Sequence, residues 1–418
     1  MKILLVEEHP ERERLALMVL EAFLEARGHR VLRSDTWAME RDFAEFSPDL
    51  IVDNLSESPA HFIGKWANLR PHQRNINLVW EQFLNPLLLL RFRFDERLAG
   101  GLVDGRIAWG EAFRGALLEE NPIMDPSRVR ATGSIKPATH TLLRRCPEEA
   151  MARALGLPEG FDERVLFIDS FPGALRDPER ERAMKSELGL PYLFELVRYL
   201  QDLREPAIAL LLRLTRENPR SLFILRLHPT KIENYRRHFA ELEGIPNLFI
   251  QSEGDLGPLL RVADLVIASR SGSLVEASIA EKPAVNLWLE DHPFYVAGIA
   301  PSIEERFAPS VDPREASLSL EALRERAAQF RVDEALRERW IGAPGMATFE
   351  RLHSFMGEIM ERPPVSRSIP LRQRLSPELL KRRARLELRR RDLLPSPPRV
   401  VADHYSPILE LMRREGAL

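Results

Sequence analysis

Two short stretches of this chain carry side chains suited to holding a phosphate. The apolar run Ser221-Leu-Phe-Ile-Leu-Arg-Leu ends in His228-Pro229, and the run Leu265-Val-Ile-Ala ends in Ser269-Arg-Ser271-Gly272-Ser273, with Glu276 three residues on. An imidazole at a strand end donates a hydrogen bond, or a charge, to a phosphate oxygen that departs with a leaving group. Pro229 fixes the turn behind it. A Ser-Gly-Ser turn between strand and helix offers free backbone amides and the positive end of the helix dipole, its hydroxyls add donors, and Gly272 lets an anion come close. Glu276 suits the hydroxyls of a ribose, as acids do in nucleotide folds. Each motif also has a plain structural reading. His228 can close a strand end, and Ser271 or Ser273 can cap the helix with Glu276 completing a capping box from Ser273. A third candidate, Asp169-Ser170-Phe-Pro-Gly173, follows the strand at Val165 and can cradle a phosphate with amides or form an ordinary Pro-Gly turn.

These side chains need a sheet to bring them together. Residues 2 to 7 form a buried strand pattern, and Pro10 to Ala26 repeats apolar residues at helical spacing up to Gly28. Short strands follow at 31–32, 49–52, 76–79 and 106–109, and a second series opens at 165–169 and, after a long helix over 192–217, goes on at 222–227, 247–250, 265–268 and 284–288. Strands alternating with helical segments predict an α/β fold of two Rossmann-like domains facing an interdomain cleft, with C-terminal helices. The expected division is an acceptor domain over 1–150, a nucleotide-sugar-binding domain over 163–345, and a helical, basic tail over 346–418. In open parallel sheets ligands sit beyond the carboxyl ends of the strands, so His228 and the Ser-Gly-Ser turn should face one crevice.

Composition narrows the class. At 418 residues and 44% hydrophobic the chain can bury large cores. One cysteine, Cys146, excludes an internal disulfide framework and fits a reducing, cytoplasmic setting. The first strand begins at Lys2 with no signal-peptide pattern, and the apolar stretch at 83–90 is short and broken by Pro86, so no membrane span is expected. A formal net charge of −3 gives no global field for nucleic acid. The charge is uneven, however. Arg367 to Arg391 holds ten Lys or Arg against two Glu, a local balance of +8, with a helix start at Ser376-Pro377-Glu378. Beside Leu379, Leu380, Leu386 and Leu393, this stretch suits peripheral contact with an anionic leaflet at the inner membrane face or a helix packed back on the first domain. No aromatic residue interleaves the charges, and no nucleic-acid partner is expected.

The segments Leu225-Arg-Leu-His228-Pro229, Asp255 to Asp264, and Ser269 to Ala277 with Lys282-Pro283 resemble the C-terminal half of two-domain GT-B glycosyltransferases of bacterial surface polysaccharide, the capsule Kdo-transferase-like and polyglycerolphosphate-transferase-like families. The resemblance covers roughly residues 165–290, with a weaker echo at Arg128-Val-Arg-Ala-Thr-Gly133-Ser-Ile-Lys-Pro137, similar to the lead-in to the interdomain linker. It implies that His228, Pro229, Ser269, Ser271, Gly272 and Ser273 hold the phosphates of a nucleotide-sugar donor and Glu276 its ribose, and Ser170 joins them from the reading of the Asp169 turn. The partner is then a saccharide or lipid-linked acceptor. Ser269-Arg270-Ser271 stands where the polyglycerolphosphate pattern has Asp-Tyr-Ser-Ser, which leaves the donor open.

An acceptor hydroxyl needs a partly desolvated carboxylate as base. Glu8, Asp53, Glu81 and Glu111 end predicted strands of the first half, and Glu81, after Leu78-Val-Trp, is the choice for catalysis beside His228. No Asp-x-Asp pair or Cys/His cluster has metal spacing, so metal-independent transfer with no cofactor is expected. Two alternatives share the fold: a non-hydrolysing UDP-sugar 2-epimerase, whose Ser-Gly-Gly turn and paired glutamates this chain lacks, and a catalytically inactive binding protein. The acidic pair Glu7-Glu8 and Asp53 resemble a response-regulator receiver, but the lysine such a domain needs is missing, since Lys65 comes too early.

Overall fold

The computed structural model describes residues 1–8, 10–35, 38–54, 69–78, 103–120, 124–171, 174, 193–229, 235–293, 306–342, 344–365 and 405–418. The described strands form two parallel sheets of six. The first runs in the order β2(Arg30–Asp35), β1(Lys2–Glu7), β3(Leu50–Asp53), β4(Arg74–Asn77), β5(Gly105–Ala108), β6(Val129–Ala131). The second runs β12(Ser310–Val311), β11(Ala284–Leu287), β10(Leu265–Ala268), β7(Glu163–Ile168), β8(Ser221–Arg226), β9(Leu248–Gln251). In each, the first strand in sequence lies inside the sheet and the chain winds away from it in both directions. The strand order therefore reverses between β1 and β3, and again between β7 and β10.

The helices are α1(Pro10–Glu25), α2(Met39–Phe46), α3(Glu111–Glu120), α4(Ile135–Leu143), α5(Glu148–Ala154), α6(Leu193–Glu217), α7(Leu256–Val262), α8(Gly272–Ile279), α9(Leu320–Gln329), α10(Glu334–Ile341), α11(Met346–Glu361) and α12(Ser406–Arg414). Strands covered on both faces read as continuous apolar runs, because alternate side chains enter different cores. In the second sheet Val165, Phe167, Phe223, Leu225, Leu265 and Ile267 pack with Leu203, Leu211 and Leu214 of α6. Their neighbours Leu166, Ile168, Leu222, Ile224, Val266 and Ala268 enter another core, which also holds Ile3 and Leu5 of β1 and Ile135, Ala138 and Leu142 of α4. One apolar body is thus shared between the sheets, with α4 in its middle.

Helix α11 returns to the first sheet. Phe349 meets the Phe23 ring at 5.5 Å between centroids, and a Cβ on Gly105 would lie 3.0–3.1 Å from Ile359 and Phe355. Gly133, at φ +87°, ends β6 so close to α11 that a Cβ would sit 2.8 Å from Thr348 Oγ1, so only glycine serves here. Three elements were not anticipated: the helix α5 and the strands β6 and β12. β6 has three residues, the middle one the exposed Arg130, and β12 has two, both too short to show a period. The basic segment 367–391 lies outside the described residues.

Candidate functional site

The carboxyl ends of β8, β7 and β10 are neighbours, with β7 in the middle. His228-Pro229, Asp169-Ser170 and Ser269 to Ser273 therefore emerge side by side. Two strand spacings, about 10 Å, separate the outer pair. This edge is the reversal point of the second sheet, where open α/β folds hold their ligands.

Local bonds fix each piece. Asp169, buried, accepts from Phe171 N–H at 2.9 Å and from His228 N–H at 3.2 Å, so its carboxylate ties the end of β7 to the end of β8. The Asp169 turn thus spends its carboxylate and one amide on its own geometry, while Pro172 and Gly173 lie outside the described residues. On the other side Arg270 sits in the left-handed region at φ +40°, and its N–H donates to Asn286 Oδ1 at 3.1 Å. That kink turns the chain into α8. Ser271 is the N-cap: its Oγ accepts from Ser273 N–H at 3.2 Å and donates to Ser273 Oγ at 2.9 Å. The Ser170 and Ser269 hydroxyls are shut away from solvent and make no hydrogen bond to protein, which costs free energy unless a ligand supplies a partner.

The capping-box reading of Glu276 fails. With Ser271 as cap, Glu276 lies beyond the third helical position and points into α4. Lys136 Nζ donates to Glu276 Oε1 at 2.9 Å, with side chains 14% and 11% exposed. One turn along, His140 is buried with Nδ1 3.6 Å from Glu276 Oε2 and Nε2 3.6 Å from Asp255 Oδ1. The ring lies on the first turn of α7, where a Cβ on Gly257 would come 2.4 Å from His140 Cδ2. Asp255 caps α7 by accepting from Gly257 N–H at 2.9 Å. Burial pushes the Asp255 carboxyl up, but the His140 ring, the Lys136 charge and the Gly257 N–H together leave it below the ordinary carboxylate value. Arg226, the last residue of β8, donates to Gly254 O at 2.6 Å, and burial pulls its guanidinium down against the charge of Asp255.

The sequence reading missed Lys136 and His140. Their spacing of four on a helix was visible, but their partners lie more than 100 residues away.

The first sheet's edge faces this one. Glu11, in the first turn of α1 after β1, and Tyr405, just before α12, both act electrostatically on Arg226. Burial pushes the Tyr405 phenol up. The candidate bases divide. Asp53, buried, accepts from Asn75 at 2.8 Å and Asn77 at 3.4 Å, and Glu8 accepts from Asn54 at 3.2 Å. Glu111 is 72% exposed beside Arg114. Glu81 lies outside the described residues. Among the described residues no cluster of three or more His, Cys, Asp or Glu is placed to hold a metal ion, and no helix is long and apolar enough to cross a membrane.

No family model and no curated protein matches the chain. Solved structures do. A structure of the wall teichoic acid polymerase TagF soaked with CDPG is 13% identical, with TM-score 0.57 over 86% of this chain and 89% of that one. The chain has the GT-B fold. A putative UDP-N-acetylglucosamine 2-epimerase from Listeria monocytogenes is 14% identical, with TM-score 0.47 over 88% and 99%. The S. aureus MnaA–UDP structure is 12% identical, with TM-score 0.49 over 88% and 98%.

Proposed function

We propose that this protein is a nucleotide-sugar enzyme, a glycosyltransferase moving a sugar from a nucleotide-activated donor to a hydroxyl of a surface-polysaccharide or lipid-linked acceptor. One observation carries the reading: the reversal point of the second sheet gathers His228, a serine-capped helix start and the unbonded hydroxyls of Ser170 and Ser269. Amides at a helix N-terminus and hydroxyl donors stabilise the charge that grows on a departing nucleotide phosphate. In this reading Ser170, His228, Ser269, Ser271, Gly272 and Ser273 hold the phosphates, and Pro229 holds the turn beneath His228. Glu276 takes the ribose, and Glu81 keeps from the sequence the role of base. TagF, of the same fold, was solved with CDPG soaked in, in keeping with an activated, nucleotide-linked donor.

A thermal-shift screen against CMP, CDP, UDP, GDP and their sugar conjugates tests the reading, because a ligand of the native state raises its melting temperature by mass action. The expected result is a shift with a diphosphate that His228→Ala and Ser271→Ala remove while staying folded. No shift with any nucleotide overturns it. With the sugar nucleotide that binds, NMR then separates the chemistries: nucleotide release that needs an acceptor is transfer, and inversion at sugar C2 is epimerisation.

A further inference from the structure

Glu276 occupies two roles that one carboxylate cannot fill at once. For the ribose it must face the crevice, yet Oε1 is bonded to Lys136 at 2.9 Å, and Oε2, shut away from solvent, faces the His140 ring at 3.6 Å without a hydrogen bond. Lys136 opens α4, directly after the Thr132-Gly133-Ser134 end of β6, and α4 is the helix embedded in the apolar body shared by both sheets. Glu276 lies on α8, whose first residues form the serine turn. The ion pair therefore joins the segment between the lobes to the helix that presents the phosphate turn.

We propose that the ribose of a nucleoside diphosphate and Lys136 compete for Glu276, so that donor binding releases the ion pair and loosens α8 from α4. This rests on the function proposed above and adds the exchange of partners. The physical ground is the state of the carboxylate. A buried, ionised carboxylate that loses its cation is left costly, and it regains most by accepting from another donor. Two vicinal ribose hydroxyls supply such donors to both oxygens of the acid once it has turned from Lys136 and His140 to the crevice. Removing Lys136 should thus weaken the fold and, at the same time, tighten the nucleotide.

Calorimetric titration of the full chain with CDP, UDP and GDP, beside the same titration with 2′,3′-dideoxy-CDP and 2′,3′-dideoxy-UDP, reads this out. Lys136→Met is expected to melt earlier than wild type yet bind the ribonucleotide about three- to tenfold more tightly. Lys136→Arg, which keeps the pair, should bind as wild type does. The gain should vanish for the dideoxy nucleotides and in a Glu276→Gln background. Should Lys136→Met fold poorly, Lys136→Gln carries the same expectation. Binding to wild type with equal or weaker binding to Lys136→Met and Lys136→Gln, or a gain that persists with dideoxy nucleotides, overturns the exchange and leaves the nucleotide site standing. No binding to wild type or to any Lys136 variant overturns both.

Discussion

The two sheets reverse their strand order at matching places, but the groups gathered there differ in kind. At the β1/β3 reversal Glu7 is held by both Arg14, through paired hydrogen bonds, and Arg33 at 3.3 Å, while Asp53 is held by two asparagines. That edge is charged and answered from within. At the β7/β10 reversal the Asp169 carboxylate and the Ser271 cap are likewise bonded within the fold, but beside them two hydroxyls, Ser170 and Ser269, have no protein partner. The lesson is that one edge spends its polar groups on the fold while the other leaves two hydroxyls, Ser170 and Ser269, unspent, the pair that the proposed function gives to an anion. Removing a group should therefore cost stability on the first lobe and ligand affinity on the second.

The largest effect should come from the first. Arg14→Met leaves Glu7, only 2% exposed, short of its main partner and should cost about 3 kcal/mol in denaturant unfolding, with the nucleotide-induced melting shift retained. A simultaneous loss of that shift would erase the contrast. Next comes Asp255→Asn, which preserves the helix cap. The folded value of Asp255 is depressed, so its contribution is complete above the unfolded carboxylate value near ~4 and is lost as pH falls through the folded one. Unfolding midpoints measured from pH 7 to 3 should fall less steeply in the variant. Ser271→Ala removes a cap and should cost about 1 kcal/mol together with nucleotide affinity. The smallest change in stability, none or a slight gain, belongs to Ser269→Ala, because its buried hydroxyl bonds to no protein group. Nucleotide affinity should nevertheless drop about threefold or more, which a titration would show.

Much of the architecture was legible because buried parallel strands announce themselves as unbroken apolar runs: Lys2–Glu7, Glu163–Ile168, Ser221–Arg226 and Leu265–Ala268 all lie where the pattern put them. Local chemistry was legible to the same extent. The cap at Ser271 needs only its own turn, and so could be anticipated, although the accompanying role for Glu276 was not the one the fold gives it. What the sequence concealed was pairing at a distance. Nothing about Lys136 or His140 in isolation points to Glu276 or Asp255, since Coulomb attraction acts through space and leaves no periodic trace along the chain. The strap from Asp169 to the His228 amide was hidden for the same reason, because it spans 59 residues.

The apolar body threaded by α4 has a consequence for how the molecule melts. Helix α1 of the first half and helices α7 and α8 of the second all pack on α4 within one apolar cluster, so neither half can lose its packing without exposing the other's. Scanning calorimetry should accordingly record a single endotherm rather than one for each half, and any rocking of the halves must pivot about α4 instead of a slack tether.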